Sequence, residues 1–149
     1  MPRVNQFSPG MTVMLFVNRL VLGVYFVIAG GAELKPTLTH GVLDNMRRFA
    51  ENVAKDAPLP YVLGLGYGYS IPFLEILCGV ALVIGLFGRH AAWIIAVMLV
   101  SFIIGATGLK ADVGSFHPNV IFLTLAILLA ISGPGRISID AATRSSRRR

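Results

Sequence analysis

Four apolar stretches, each long enough to cross a lipid bilayer, fill most of the chain: about residues 11–32, 71–87, 91–108 and 116–133. A hydrocarbon core about 30 Å thick needs about 20 helical residues, and somewhat shorter spans are tolerated. Only helices and closed barrels satisfy their backbone in lipid, and barrel strands would alternate polar and apolar residues, which these runs do not. The pattern predicts an all-α, polytopic membrane four-helix bundle. Hydrophobic residues make up 55% of the chain and charged residues 13%, a balance that excludes a soluble domain of this size. One bundle uses up residues 1–149, so a single transmembrane domain is expected, with a basic tail over 141–149.

Charge placement sets the expected orientation. Four spans put both termini on one face, together with Arg3, Arg89, Arg136, Arg144, Arg147, Arg148 and Arg149. The opposite face holds Lys35, Arg47, Arg48, Lys55 and Lys110, diluted by acids. Basic residues at short loops and span ends mark the cytoplasmic side. Both termini are therefore expected in the cytoplasm. Beside a membrane, Arg147, Arg148 and Arg149 point to anionic lipid or a partner subunit rather than to nucleic acid. Arg3 followed by an apolar run resembles a signal peptide, but the run is too long and Arg19 interrupts it, so a retained span is predicted.

The 36–70 loop falls outside the cytoplasm. Within it Val42, Met46, Phe49 and Val53 recur at helical spacing, with Asp44, Asn45, Arg47, Arg48, Glu51 and Asn52 on the other side. This predicts an extra amphipathic helix of about four turns between spans one and two. It would lie on the membrane surface, cap the bundle or dock a partner. Gly64, Gly66 and Gly68 alternate with Leu65, Tyr67 and Tyr69 before the second span. That alternation suits a closely packed interfacial approach to the span, since no strand and no basic residue support a phosphate loop. Gly88-Arg89-His90 reads as a tight turn between the second and third spans. Pro118 suits the first turn of the fourth helix, and Gly133-Pro134-Gly135 its end.

Two charges lie within spans, Arg19 and Glu75. Each is expected to face the interior and to find a partner there. Counting residues from the cytoplasmic ends puts Arg19 about 12 Å deep and Glu75 about 18 Å deep, within reach of an extended arginine. Ser101 and Thr124 fall at about 15 Å and about 13 Å. The four residues would form one polar layer. It reads either as a structural staple or as a quinone or proton site, the quinone being the one cofactor it suggests besides bound lipid. Gly23, Gly30, Gly79 and Gly85 lie on the faces beside the charges and would let the helices pack closely. At the outer boundary Glu33, Lys35, His117 and Asn119 could cluster. Cys78 reads as a packing residue rather than a redox thiol. No haem ligand pair, cluster cysteines, HExxH, nucleophile triad or phosphate loop is present, so no catalytic residue, covalently bound cofactor or metal site is assigned.

Arg19-Leu20 with Gly30 and Glu33-Leu34-Lys35, the run from Glu75 through Gly79 and Gly85 to Arg89, and the exit from Gly133 through Arg136 and Ser138 to Asp140 together resemble DoxX-like membrane proteins. The resemblance implies a four-helix bacterial inner-membrane protein of the kind associated with quinol oxidases and with thiosulfate oxidation. The expected function is an accessory subunit of a quinone-linked electron-transfer complex with other integral membrane subunits as partners and without an activity of its own. The alternatives are a quinone-binding or quinone-reducing oxidoreductase subunit using Arg19 and Glu75 and, third, a small transporter.

Overall fold

The structure, a computed structural model, describes residues 8–35, 41–57, 59–107, 118–133, 135, 138–140 and 143. Among them are five helices: α1 (Pro9–Glu33), α2 (Val42–Asp56), α3 (Tyr61–Ile84), α4 (Gly88–Thr107) and α5 (Pro118–Ser132). The fold is all-α. Ser8 caps α1, its hydroxyl accepting the Met11 N–H at 3.3 Å, and Pro9 occupies the first turn, where its missing N–H costs nothing. Pro118 opens α5 in the same way, as the sequence predicts.

α3 begins ten residues before the expected span start at Ile71. The glycine alternation at 64–68, expected to be a closely packed interfacial approach to the span, is part of the helix itself. Each glycine inside a helix costs about 1 kcal/mol relative to alanine. The packing of α2 offsets that cost. A Cβ placed on Gly64 would fall 2.9 Å from the Cα of Ala54, and one on Gly68 would fall 2.6 Å from the Cα of Ala50. Two glycines four apart thus receive two alanines four apart, and the backbones of α2 and α3 touch.

The amphipathic helix forms where periodicity predicts it, but it docks through a different face. Ala50 and Ala54 are its buried residues, about a quarter turn from the expected stripe. Of that stripe, Met46, Phe49 and Val53 are half-buried and Val42 is exposed. On its far side Arg47 Nε donates to Glu51 at 2.8 Å, and this bond holds the Arg47 proton more tightly still.

The turn joining α3 to α4 is Gly85–Phe87, not the expected Gly88-Arg89-His90, which opens α4 instead. Gly85 ends α3 with φ 73°, a left-handed conformation suited to glycine, while the Leu86 N–H reaches back to the Ala81 carbonyl at 3.0 Å. α1 runs antiparallel to α3, with Gly23 opposite Gly79 and Gly30 opposite Pro72. α4 runs antiparallel to α5, where Ala92 and Ala96 on one helix and Ala126 and Ala130 on the other are buried. Small residues four apart therefore recur at the packed seams.

The outside is apolar. Met14 and Ile28 on α1, Leu77 on α3, Val97 on α4 and Ile131 on α5 are each more than 60% exposed. Apolar surface on every one of these helices is what a lipid-facing protein presents and what a soluble monomer avoids. α1 and α3 are long and apolar enough to cross a membrane, and α4 and α5 contribute shorter apolar segments.

Candidate functional site

Polar side chains inside the packet gather at its two ends rather than in one layer. At the end where α1 starts, Arg19 is 2% exposed. Its guanidinium lies against the Phe16 ring, 5.4 Å from the centroid, and a terminal nitrogen sits 2.5 Å from where a Cβ on Gly85 would stand. Asp140 attracts it electrostatically. The Asp140 carboxylate accepts the N–H groups of Phe87 and Gly88, each at 3.0 Å, and so caps α4 from a distant part of the chain. The Asp140 N–H returns to the Gly85 carbonyl at 3.1 Å. Arg89 donates through Nε to the Ala130 carbonyl at 2.8 Å and through a terminal nitrogen to the Ile131 carbonyl. That places a cation on the carbonyl end of α5, where the helix dipole favours it. The cluster ties three helix ends together.

At the opposite end, Glu75 is 3% exposed. Its Cβ lies 2.9 Å from where a Cβ on Gly30 would stand, and Glu33 follows one turn on from Gly30 on the same side of α1. The two carboxyl groups repel each other. In each, Oε2 is buried with no hydrogen-bond partner among the described residues. Tyr67, one α3 neighbour reached by the charge of Glu75, shares a hydrogen bond with Ser101 across to α4. The Ser101 hydroxyl in turn donates to the Met98 carbonyl at 2.6 Å.

Arg19 and Glu75 are both buried, as expected, but they do not meet. The Arg19 guanidinium rests at Gly85, ten residues along α3 from Glu75 and so about 15 Å away. Counting residues from the cytoplasmic ends, as for the two charges, puts Gly23 level with Glu75 and Gly79 level with Arg19. The glycines instead meet each other, which slides α3 by about one turn. Thr124 also leaves the expected layer: it is exposed and donates to the Ile121 carbonyl of its own helix at 2.7 Å. Lys35 is exposed and its carbonyl accepts the Asn45 side-chain amide, while Asn119 is half-buried at the start of α5. His117, Arg147, Arg148 and Arg149 lie outside the described residues. Cys78 is a buried free thiol within the apolar core.

Three polar residues escaped the sequence reading. Asn18 donates from α1 to the Leu125 carbonyl of α5 at 3.2 Å. Its amide beside Arg19 inside an apolar run was the available signal. Tyr67 was read as a headgroup-level ring, and Asp140 only as part of a closing motif.

Residues 11–133 match the family described as methylamine utilisation protein MauE, well over half of the chain. No solved structure matches the chain. The MauE match overturns the resemblance to DoxX-like proteins, although both are membrane protein families. Of the residues that carried that resemblance, Gly79, Gly85, Arg89, Gly133 and Asp140 pack helices closely or cap their ends. Those tasks arise in any antiparallel packet of membrane helices and do not discriminate one family from another.

Proposed function

Since the chain belongs to the MauE family, we propose that it is an integral membrane accessory protein serving methylamine utilisation, a process in which electrons leave an amine and enter a transfer chain. In this reading α1, α3, α4 and α5 are four spans of one bundle, α2 lies against α3 on the outer side, and both ends of the chain are cytoplasmic in a bacterial inner membrane. The observation that carries the reading is the distribution of polarity. Large apolar side chains cover the outside of all four helices, while the polar groups inside serve largely as helix caps and interhelical links. A protein built this way contributes a surface and a position in the membrane. Its partners are membrane lipid and other components of the same electron-transfer system.

Deletion of the gene followed by growth on methylamine tests the proposal, together with purification of the tagged full chain in mild detergent. Loss of amine-dependent growth with co-migration of a larger assembly is the expected result. Unchanged growth and a monodisperse lone monomer would remove the accessory role.

A further inference from the structure

We propose that Glu33 and Glu75 together form a proton-binding site that holds one exchangeable proton between two carboxyl groups. The proposal goes beyond the accessory role and stands whether or not a partner docks.

The geometry begins at Gly30. Its lack of a side chain lets α1 close onto the Cβ of Glu75 and the carbonyl of Pro72, so Glu75 is sealed between two helices at 3% exposure. Glu33 sits one helical turn nearer the end of α1 and is half-buried. Both Oε2 atoms are buried and lack a hydrogen-bond partner among the described residues. A carboxylate oxygen only accepts, so two ionised groups here would leave two buried acceptors without donors in a low-dielectric region. A single proton resolves both problems. It turns one carboxylate into a carboxylic acid whose O–H donates to the oxygen of the other, and it removes one of the two like charges.

Among the described residues, the surrounding groups do not supply that proton. The Tyr67 hydroxyl is engaged with Ser101, and Ser101 with the Met98 carbonyl. On α2, Arg47 is paired with Glu51. Lys35 is exposed beyond the end of α1, and the Arg19 guanidinium rests at the far end of α3 beside Gly85. α4 presents Ser101, which is not titratable near neutral pH. The proton therefore comes from water at the end where α1 finishes, by way of the half-exposed Glu33. The step is an association of one aqueous proton with one carboxylate, and no electron moves.

The test uses the full chain in lipid nanodiscs and infrared difference spectroscopy across a pH series, in ordinary and heavy water. The expected signal is the carbonyl stretch of a protonated carboxylic acid, persisting at pH 7 and shifted in heavy water. Glu33→Gln removes the repelling neighbour, so the remaining group should release its proton at a pH at least one unit lower, a tenfold change in proton affinity. Glu75→Gln should abolish the neutral-pH band. Retained helical circular dichroism and monodispersity identify the folded variants. Should Glu75→Gln fail to fold, wild type and Glu33→Gln still decide the matter. Absence of the band from wild type at pH 7, or an unmoved titration in Glu33→Gln, overturns the proposal. Loss of the band on adding sodium or calcium at constant pH overturns it too, in favour of a metal-cation site.

Discussion

Gly23 of α1 and Gly79 of α3 cross so closely that a Cβ on either would fall within 2.8 Å of the other's carbonyl oxygen. This contact fixes the register of the two long helices. In lipid, apolar contact alone adds little to helix association, so backbone approach of this kind supplies the packing. Gly79→Val forces a branched side chain into a backbone carbonyl and should destabilise the protein by about 1–3 kcal/mol through overpacking. Gly31, on the same helix as Gly23, has open space where a side chain would go. Gly31→Val is therefore the control and should unfold close to wild type. Thermal unfolding in detergent checks both, and equal losses in the two variants would show that the crossing does not set the packing.

Asp140 and Arg19 join the end of the described chain to the α3–α4 turn. Asp140→Ala leaves the N–H groups of Phe87 and Gly88 without their acceptor and should cost about 1–2 kcal/mol. Combined with Arg19→Gln, the loss should fall short of the sum, because both changes break one electrostatic and capping cluster. Strict additivity in a double-mutant cycle would mean that the two residues act separately.

The parts legible in the sequence were those that depend on one segment alone. The apolar runs gave α1 nearly to the residue, and the spacing of Val42, Met46, Phe49 and Val53 gave α2. What failed depended on how two segments meet. The start of α3 was missed because alternating glycines argue against a helix until Ala50 and Ala54 arrive to fill the space beside them. The expected contact of Arg19 with Glu75 failed because depth counting assumes that all spans begin in one plane, whereas the Gly23–Gly79 crossing decides the offset. The closeness of Glu75 to Gly30, one helical turn from Glu33, was hidden for the same reason.

The proposed orientation predicts a labelling pattern. Leu43 is 79% exposed on α2, and Cys78, at 3% exposed, should stay silent in the background. Leu43→Cys in intact cells should react with a membrane-impermeant maleimide from the periplasmic side. A cysteine replacing Thr143 should react only after the membrane is opened. Protection of the first with ready labelling of the second would invert the topology.

α2 should be separable from the rest of the packet. Its attachment to α3 depends on Ala50 and Ala54 lying against Gly68 and Gly64, and Ala50 is fully buried there. Ala50→Leu has no room and should cost about 1–3 kcal/mol by overpacking, lost mainly from the α2–α3 contact. Because α1, α4 and α5 keep their own contacts, the apolar helices should remain folded while α2 opens. Arg47 and Arg48 are exposed on α2, so trypsin added to the outer side should cut there faster in Ala50→Leu than in wild type. Gly68→Val should have the same effect, since its side chain would meet the Ala50 backbone. Global unfolding in both variants, with no interval in which α2 alone is cleaved, would show that α2 is part of one cooperative unit and not an arm laid against it.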